Sequence, residues 1–306
     1  MPHFLSTHSP FYSPSQPRAG SSIGFDFDPL SVVRELVNPL LFRALVAEFL
    51  GALLLLFFAL TTAVYRERWI TNAGSSTSEL PLTDAALLTA VSTNSAKYAA
   101  TATAHLTVSF VFGFTVFCLV YTLSPISGGH FNPAVTWGLA VTRKVTVVRA
   151  ICYTGAQCGG AVVGALLSKT LDPAAFADAG GGVNGRQSNG AFNSTSSMMV
   201  SEIVGTFLLV LVVYAAVDPQ RAGEVVHISA LGPLAIGLAV LTAHLALIPV
   251  TGCSINPARS FGAAVASNTW TDHWVFWCGP LVGGLLAAFT HEALFKGRKV
   301  FEERWA

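Results

Sequence analysis

The sequence predicts an all-α membrane protein with six transmembrane helices and two re-entrant half-helices, arranged as an inverted repeat. Three observations lead to this fold class. Apolar residues make up 52% of the 306 residues and charged residues only 11%, whereas a soluble domain carries about 25% charged residues. Six apolar runs are long enough to cross a bilayer. The tripeptide Asn-Pro-Ala also occurs at the same point in each half of the chain.

The six apolar runs predict helices, because a spanning helix needs about 20 mostly apolar residues, whereas membrane strands are about half as long and alternate. The runs cover approximately residues 40–64, 99–123, 145–167, 198–217, 228–250 and 274–294. We therefore expect one membrane domain over residues 39–295. A partly disordered tail rich in Ser and Pro (1–38) precedes it, and a short tail (296–306) follows it.

Charge and cysteine usage narrow the possible partners. The formal net charge of +1 gives no basic surface for nucleic acid. Lys and Arg are more numerous on the side that carries both tails, which places the two termini in the cytoplasm. The five cysteines show no metal-ligand spacing and no disulfide framework. No metal and no cofactor are expected.

The two halves of the chain resemble each other. Glu48 lies three residues before Gly51 in the first run, and Glu202 lies three residues before Gly205 in the fourth. Each half contains three spans, an odd number, so the two repeats (39–168 and 197–295) must lie in opposite orientations in the bilayer. Inverted repeats of this kind place a functional site near the bilayer midplane, where the halves meet.

Each Asn-Pro-Ala opens a short apolar stretch, 134–142 in the first repeat and 258–266 in the second. Nine helical residues reach only about 14 Å, half of the bilayer core, so these stretches predict half-helices. Asn is a preferred N-cap, and Pro is favoured at the first helical position. The candidate residues are Asn132, Pro133, Ala134, Asn256, Pro257 and Ala258.

The paired asparagines predict a pore. If each side-chain oxygen caps its helix, the amide NH2 groups of Asn132 and Asn256 are left to donate toward a common point, where two helix N-termini also meet. Water would accept from both amides, and cations and protons would be repelled. A single Asn-Pro would indicate an ordinary turn, but two copies at equivalent points of an inverted repeat are far more specific.

These motifs resemble the aquaporin family over residues 40–295, and most closely its plasma-membrane intrinsic proteins of plants and algae. The resemblance rests on Ile-Ser-Gly-Gly-His-Phe-Asn-Pro-Ala-Val-Thr in the first repeat and Ile-Asn-Pro-Ala-Arg-Ser-Phe-Gly-Ala-Ala-Val in the second. It implies a passive, selective water channel rather than an enzyme, driven by osmotic gradients and excluding protons and ions. It also implies a homotetramer with one pore per subunit, located in the lipid bilayer of the plasma membrane.

The resemblance implies a second constriction, the aromatic/arginine filter. Its positions fall on Phe112, His244, Cys253 and Arg259. Relatives that conduct glycerol usually have Gly at the place of His244 and Asp at the place of Ser260, so glycerol is disfavoured here. A mercurial block lost in Cys253→Ser would locate that thiol in the pore.

The resemblance also assigns the two intramembrane acids. Glu48 and Glu202 would accept hydrogen bonds from backbone N–H groups of the re-entrant loops. The alternative is a proton relay. A relay would need no symmetric duplicate, which favours the supporting role.

Several residues match gating positions of the plasma-membrane relatives. A cytoplasmic loop over 218–231 carries His227, whose protonation could hold Leu231 over the pore mouth. Thr146 follows two basic residues, which suits a kinase. Glu35 and Arg149 match positions that anchor the closed loop, although Val32 replaces a second acid of the family's divalent-cation site. Asn193 begins an Asn-Ser-Thr sequon and is a candidate glycosylation acceptor.

Three alternatives stay open beside selective water conduction. A broader channel for small neutral solutes would pass hydrogen peroxide or carbon dioxide, and less readily glycerol. A membrane enzyme lacks support, because no G-x-S-x-G, H-E-x-x-H or phosphate-binding loop occurs. A closed structural or junction protein would leave the pore residues dispensable.

Overall fold

The computed structural model describes residues 29–74, 84–187, 194–217 and 226–296. These residues are almost entirely helical, which confirms the predicted fold class. The helices are α1 (Pro29–Leu36), α2 (Pro39–Gly74), α3 (Asp84–Ser127), α4 (Pro133–Val141), α5 (Val147–Leu171), α6 (Pro173–Asp178), α7 (Thr195–Val217), α8 (Val226–Thr251), α9 (Pro257–Ser267) and α10 (Val275–His291). A 3-10 turn covers Gly180–Gly182, and a π-helical turn, Glu292–Lys296, continues α10.

Five described helices contain a stretch long and apolar enough to cross a membrane: Pro39–Val64, Tyr98–Ser127, Val147–Leu171, Thr195–Val217 and Leu231–Thr251. The sixth predicted span corresponds to α10, an apolar helix of 17 residues. Seventeen residues lie at the lower end of the range that spans a hydrocarbon core, with a rise of about 26 Å.

Some boundaries differ from those predicted by the apolar runs. Helix α2 continues to Gly74 and α3 begins at Asp84, so much of the expected long segment between the first two spans is helical. Hydropathy marks where a helix lies in lipid, whereas backbone hydrogen bonding carries the helix further into water. The predicted tail over 1–38 likewise contains α1 (Pro29–Leu36).

Each of the two half-helices packs against a spanning helix of the other repeat. Helix α4, from the first repeat, packs against α10 of the second repeat as well as against α5, and α9 of the second repeat packs against α5 of the first. Each half-helix is therefore held by a spanning helix of the other repeat. The two Asn-Pro-Ala segments consequently meet in the interior of one chain.

Glycines allow equivalent close approaches in the two repeats. A Cβ at Gly160 would overlap the carbonyl oxygen of Phe49, and a Cβ at Gly283 would overlap that of Ile203. Phe49 follows Glu48 and Ile203 follows Glu202. Gly160 of α5 and Gly283 of α10 thus occupy equivalent positions. Small residues of this kind let membrane helices approach at backbone distance.

Candidate functional site

Both half-helices begin with an asparagine cap. The backbone of Asn132 is extended (φ −153°, ψ 119°), and its Oδ1 accepts from the N–H of Ala134 at 2.9 Å. Asn256 has nearly the same conformation (φ −153°, ψ 107°) and accepts from Ala258 N at 3.0 Å and Arg259 N at 3.3 Å. The side-chain oxygens satisfy N–H groups that a helix start leaves without intrahelical partners.

The amide nitrogens of the two caps bond across the repeat interface. Asn132 Nδ2 donates to the carbonyl of Ile255 at 2.8 Å, and Asn256 Nδ2 donates to the carbonyl of Phe131 at 2.9 Å. Phe131 (φ 50°) and Ile255 (φ 47°) both have left-handed backbone, which is uncommon for residues other than Gly. Each of these residues directly precedes the asparagine of its own repeat, and its carbonyl reaches the other half of the chain.

This cross-bonding gives the asparagines a second task besides the predicted one. The sequence predicts that Asn132 and Asn256 each direct an amide donor toward a common point in the pore. An amide nitrogen carries two hydrogens, and in each asparagine one of them is used by the opposite loop. One N–H from each side chain is left for the pore. The bonds across the interface also fix the separation of the two half-helix N-termini.

A narrow cavity of about 90 Å³ passes the two asparagines. Because one water molecule needs about 10–15 Å³ of such volume, the cavity has room for a short file of water-sized molecules. Most of its wall is apolar. The lining residues include Arg259, His244, Phe112, Asn256, Leu139 and Lys144.

Phe112, His244 and Arg259 lie together on the wall of this cavity, at the predicted constriction. The rings of Phe112 and His244 are stacked, with centroids 3.9 Å apart and an interplanar angle of 27°. The guanidinium carbon of Arg259 lies 5.5 Å from the centroid of the Phe112 ring, within the range of a cation–π contact. The structure therefore brings three of the four predicted filter residues together on one short stretch of the cavity wall.

The hydrogen bonding of His244 fixes what its ring offers to the cavity. Nδ1 lies 2.9 Å from the carbonyl oxygen of Val240. A carbonyl only accepts, so Nδ1 carries the hydrogen and Nε2 is the acceptor of the neutral ring. Nε2 is buried and has no hydrogen-bond partner among the described residues. It is available to accept from a molecule in the cavity.

Arg259 lies between the narrow cavity and a wider outer one. Its Nη1 donates to the carbonyl of Gly182 at 2.7 Å, and its Nε is buried without a partner in the part of the chain that the structure describes. The outer cavity has a volume of about 300 Å³ and includes Asp178 and Val183 in its wall. A molecule passing from one cavity to the other must pass the guanidinium.

Cys253, the fourth predicted filter residue, is not brought onto the stretch of cavity wall that the other three share. It is fully buried and lines neither of the two cavities. Its backbone is left-handed (φ 51°), and its N–H donates to Thr251 Oγ1 at 3.1 Å. This left-handed turn sets the course of the loop backbone at Cys253. The sequence pattern locates this position in the loop but not the direction of the side chain.

Glu48 holds the inner re-entrant loop. Its Oε1 accepts from Ser127 Oγ (2.6 Å) and His130 N (3.0 Å), and its Oε2 accepts from Phe131 N (2.7 Å) and Gln157 Nε2 (2.7 Å). All four bonds come from groups that would otherwise be unsatisfied in a membrane interior. The Glu48 carboxylate therefore stabilises the conformation of the re-entrant loop.

Glu202 holds the outer loop in the same way. Its Oε1 accepts from Thr251 Oγ1 (2.7 Å) and Ser254 N (3.0 Å), and its Oε2 accepts from Ile255 N (2.7 Å). The pattern matches that of Glu48 except for one missing side-chain donor. Both acids are fully buried, and both lie behind the loops rather than on the cavity wall.

The sequence matches the family model for the major intrinsic proteins over residues 35–291. The match covers both half-helices, the cavity and both acids. The chain belongs to the major intrinsic protein family. Membership in this family of membrane channels also confirms that the protein is not an enzyme.

This major intrinsic protein is similar to several curated aquaporins of plants. It is 42% identical over 273 residues to the probable aquaporin PIP2-5 of Arabidopsis thaliana, covering 88% of this chain and 87% of the relative. It is 41% identical over 272 residues to aquaporin PIP2-4 of Oryza sativa subsp. japonica, with 88% and 87% covered. It is 40% identical over 291 residues to aquaporin PIP2-4 of Zea mays, with 92% and 93% covered.

The fold is also similar to a solved structure, the aquaglyceroporin from Plasmodium falciparum. The TM-score is 0.62, with 83% of this chain and 96% of the other covered. The sequence identity is 23%, so this likeness concerns the fold alone. It supports the same helical architecture.

The residues expected to take part in gating are placed at the ends of helices. Thr146 is the N-cap of α5, and its Oγ1 accepts from Arg149 N at 3.1 Å. The same hydroxyl donates to the Glu35 carboxylate at 2.7 Å, and Arg149 Nε lies 3.3 Å from Glu35 Oε1. These contacts tie α1 to the start of α5 in this major intrinsic protein.

The other gating expectations fall partly outside the described residues. Residues 218–225, and Asn193 with its sequon start, lie outside them. The predicted loop over 218–231 is too long, because α8 begins at Val226 and contains both His227 and Leu231. The side chain of Leu231 is 56% exposed.

Three contributors to the site were missed in the sequence. Gln157 Nε2 donates both to Glu48 and to Thr136 Oγ1 (2.9 Å). A polar amide within an apolar run is unusual, and this signal in the sequence could have identified Gln157. Lys144 lines the narrow cavity, with its Nζ 5.5 Å from the centroid of the Tyr214 ring. Asn184 lies in a polar segment between spans, where no local pattern distinguishes it.

Proposed function

We propose that this protein is a passive channel for water, driven by osmotic gradients and closed to protons and other ions. The observation that carries the proposal is the narrow cavity that passes both asparagine caps and the Phe112–His244–Arg259 constriction. The plant relatives are named aquaporins, which supports the same conclusion. The chain would work in the plasma membrane as a homotetramer, with both termini in the cytoplasm.

Proton exclusion follows from the direction of the hydrogen bonds at the midplane. Asn132 and Asn256 each have one N–H left to donate, so a water molecule between them accepts with its oxygen and points its hydrogens away. Two half-helix N-termini add positive partial charge at the same place. A chain of waters with one continuous hydrogen-bond direction cannot pass this point, and cations are repelled.

Discrimination against larger solutes is proposed for the constriction. Arg259 donates and His244 Nε2 accepts, which matches the two hydrogen-bonding capacities of water. The stacked ring of Phe112 closes the remaining side with an apolar wall. We expect these three side chains to leave too little width for glycerol, and the Arg259 charge adds to the barrier against cations.

Hydrogen peroxide is the second candidate substrate, with carbon dioxide as a further neutral solute. Peroxide has about the cross-section of water and also both donates and accepts hydrogen bonds. The polar groups at the constriction would therefore serve it too. Glycerol stays less favoured for the steric reason given above.

Gating is proposed for the cytoplasmic side. A kinase that phosphorylates Thr146 would replace the hydroxyl that donates to Glu35 with a dianion beside a carboxylate, and the resulting repulsion would release α1. Protonation of His227 would favour a position of the 218–231 segment in which Leu231 covers the pore mouth. A divalent cation at Glu35 is not proposed, because Val32 supplies no second carboxylate.

The test is reconstitution into liposomes, with osmotic shrinkage, glycerol uptake and ionic current measured in parallel. We expect water flux well above that of empty liposomes, with neither glycerol uptake nor current. Measurements at acid and neutral pH, with His227→Ala as the matched variant, test the gate: acid closure should be lost in the variant. Water flux absent at every pH would refute the channel, and equal glycerol flux would refute its selectivity.

A further inference from the structure

Asn184 connects an outer segment to the second re-entrant loop. It lies in residues 180–187, between α6 and α7, and its side chain is almost fully buried. Its Oδ1 accepts from Ser260 Oγ at 2.7 Å, and its Nδ2 donates to the carbonyl of Thr251 at 3.3 Å. The next residue, Gly185, donates its N–H to the same carbonyl at 3.1 Å. The segment is therefore bonded to both ends of the outer loop.

The same segment fixes the filter arginine. Gly182, two residues before Asn184, accepts from Arg259 Nη1 at 2.7 Å. Its carbonyl direction depends on a left-handed turn over Gly180–Gly182, where all three φ angles are between 62° and 67°. Arg259 is followed directly by Ser260, the partner of Asn184. Two consecutive residues of α9, Arg259 and Ser260, are therefore both hydrogen-bonded to the 180–187 segment.

The outer loop needs this support because it lacks a brace that the inner loop has. Gln157 lies three residues before Gly160 on α5 and donates to the acid behind the inner loop. Three residues before the equivalent Gly283, α10 has Pro280, which has neither a side-chain donor nor an N–H. Glu202 accordingly has one side-chain donor fewer than its counterpart.

We propose that Asn184 is a positioning residue of the selectivity filter. By holding Ser260 and Thr251 on the 180–187 segment, it keeps the carbonyl of Gly182 where it fixes the guanidinium of Arg259. Selectivity is then set partly by a segment outside the spanning helices. The surface pair of Arg186 and Asp272, 3.2 Å apart, connects this segment to the turn before α10. This inference rests on the proposed water-channel function.

The experiment measures water and glycerol permeability of proteoliposomes containing wild type, Asn184→Ala, Ser260→Ala or the double variant. We expect each single variant to keep water permeability within about twofold of wild type and to raise the glycerol-to-water ratio by about threefold or more, the scale of one lost hydrogen bond. The effect of the double variant should be smaller than the sum of the two single effects, because both substitutions remove the bond between Asn184 and Ser260. Each also removes one further bond, from Asn184 to Thr251 or between Ser260 and Ser254.

Gln187→Ala is the matched control. Gln187 is an amide in the same segment, and its Nε2 donates to the carbonyl of Gly185 within that segment, at 3.4 Å. It lines the outer cavity but has no hydrogen bond to Arg259, Ser260 or Thr251 among the described residues. The glycerol-to-water permeability ratio of Gln187→Ala should equal that of wild type. If Asn184→Ala conducts no water, Ser260→Ala carries the test, and loss of water flux in both would overturn the positioning role. An unchanged ratio in conducting variants would also overturn it, whereas a wild type without water flux refutes the proposed function instead.

Discussion

The tautomer of one histidine decides what the constriction offers to a solute. Because Nδ1 of His244 is committed to the carbonyl of Val240, the ring presents an acceptor at Nε2. Arg259, on the same stretch of wall, presents only donors. A water molecule can satisfy both groups at once. Stacking on Phe112, with ring centroids 3.9 Å apart, also holds the His244 ring in this orientation.

Removing the histidine ring should widen the pore. We expect His244→Ala to raise glycerol permeability about tenfold or more, since steric exclusion at this scale depends on one or two side-chain groups, while water flux persists. The measurement is glycerol uptake by proteoliposomes. Phe114→Ala is the control, because Phe114 lies two residues from Phe112 with an exposed side chain. Glycerol flux that stays at the wild-type level would show that the ring does not set the width.

The buried thiol of Cys253 should be insensitive to mercurials. The side chain has no exposed surface and lines neither cavity, so a mercurial in the pore cannot reach the sulfur. Osmotic shrinkage of wild-type proteoliposomes should proceed at the same rate before and after treatment. A block that is present in wild type and lost in Cys253→Ser would place the thiol in the pore and contradict this structure.

At the scale of helices, hydrogen-bonded ends and close contacts determine the arrangement. Each half-helix starts at an asparagine cap and is anchored from behind by a glutamate. Helices α2 and α5, and likewise α7 and α10, approach each other at backbone distance through Gly160 and Gly283. The half-helices then fit between spanning helices of both repeats.

A single methyl group on α5 should disturb this packing. We expect Gly160→Ala to destabilise the fold by about 1–3 kcal/mol, because its Cβ would overlap the carbonyl of Phe49 on α2. Thermal unfolding in detergent would show a lower midpoint. Gly155→Ala on the same helix is the control, since a Cβ there meets no atom within 4 Å. Equal midpoints for the two variants would contradict the close approach.

The tie between α1 and α5 should depend on the hydroxyl of Thr146. Thr146→Val removes the cap of α5 and the donor to Glu35, and we expect a loss of about 1 kcal/mol in the stability of this helix start. Hydrogen exchange should accelerate over residues 29–36 and 147–150. Thr146→Ser, which keeps the hydroxyl, should exchange like wild type. Unchanged exchange in the valine variant would show that α1 is held by other contacts.

At the scale of the whole molecule, the pore is enclosed by one chain. The narrow cavity is lined by residues of both repeats, and the two half-helices close it from both repeats. We therefore expect each subunit of the proposed homotetramer to contain its own independent pore.

Independent pores predict a linear response to mixing subunits. Val213 lines the cavity, and Val213→Trp would fill it with an indole ring. Mixed assemblies of wild type and this variant should lose water flux in direct proportion to the variant fraction. Native mass spectrometry would confirm that the mixtures form tetramers. A steeper than linear loss would show that the pores are coupled or shared.

The sequence was sufficient where a pattern has a local physical cause. Long apolar runs predict spanning helices, since the bilayer cannot satisfy exposed backbone groups. Asn-Pro predicts a helix start, and an odd number of spans per repeat requires inversion. Residues such as Gln157 and Asn184 could not be assigned, because their partners lie 109 and 76 residues away along the chain. The filter positions came from family resemblance, and that resemblance did not reveal that Cys253 lines neither cavity.

The sequence by itself determined the membrane location, the spans and the paired half-helices of this protein, because these depend on composition and local backbone chemistry. Only the tertiary structure decided the direction of each hydrogen bond at the pore. It committed one N–H of Asn132 and Asn256 to the opposite loop and fixed the acceptor of His244. It also tied Arg259 to Gly182. These bonds join residues far apart in sequence, and they form only when the packed repeats bring donor and acceptor within about 3 Å.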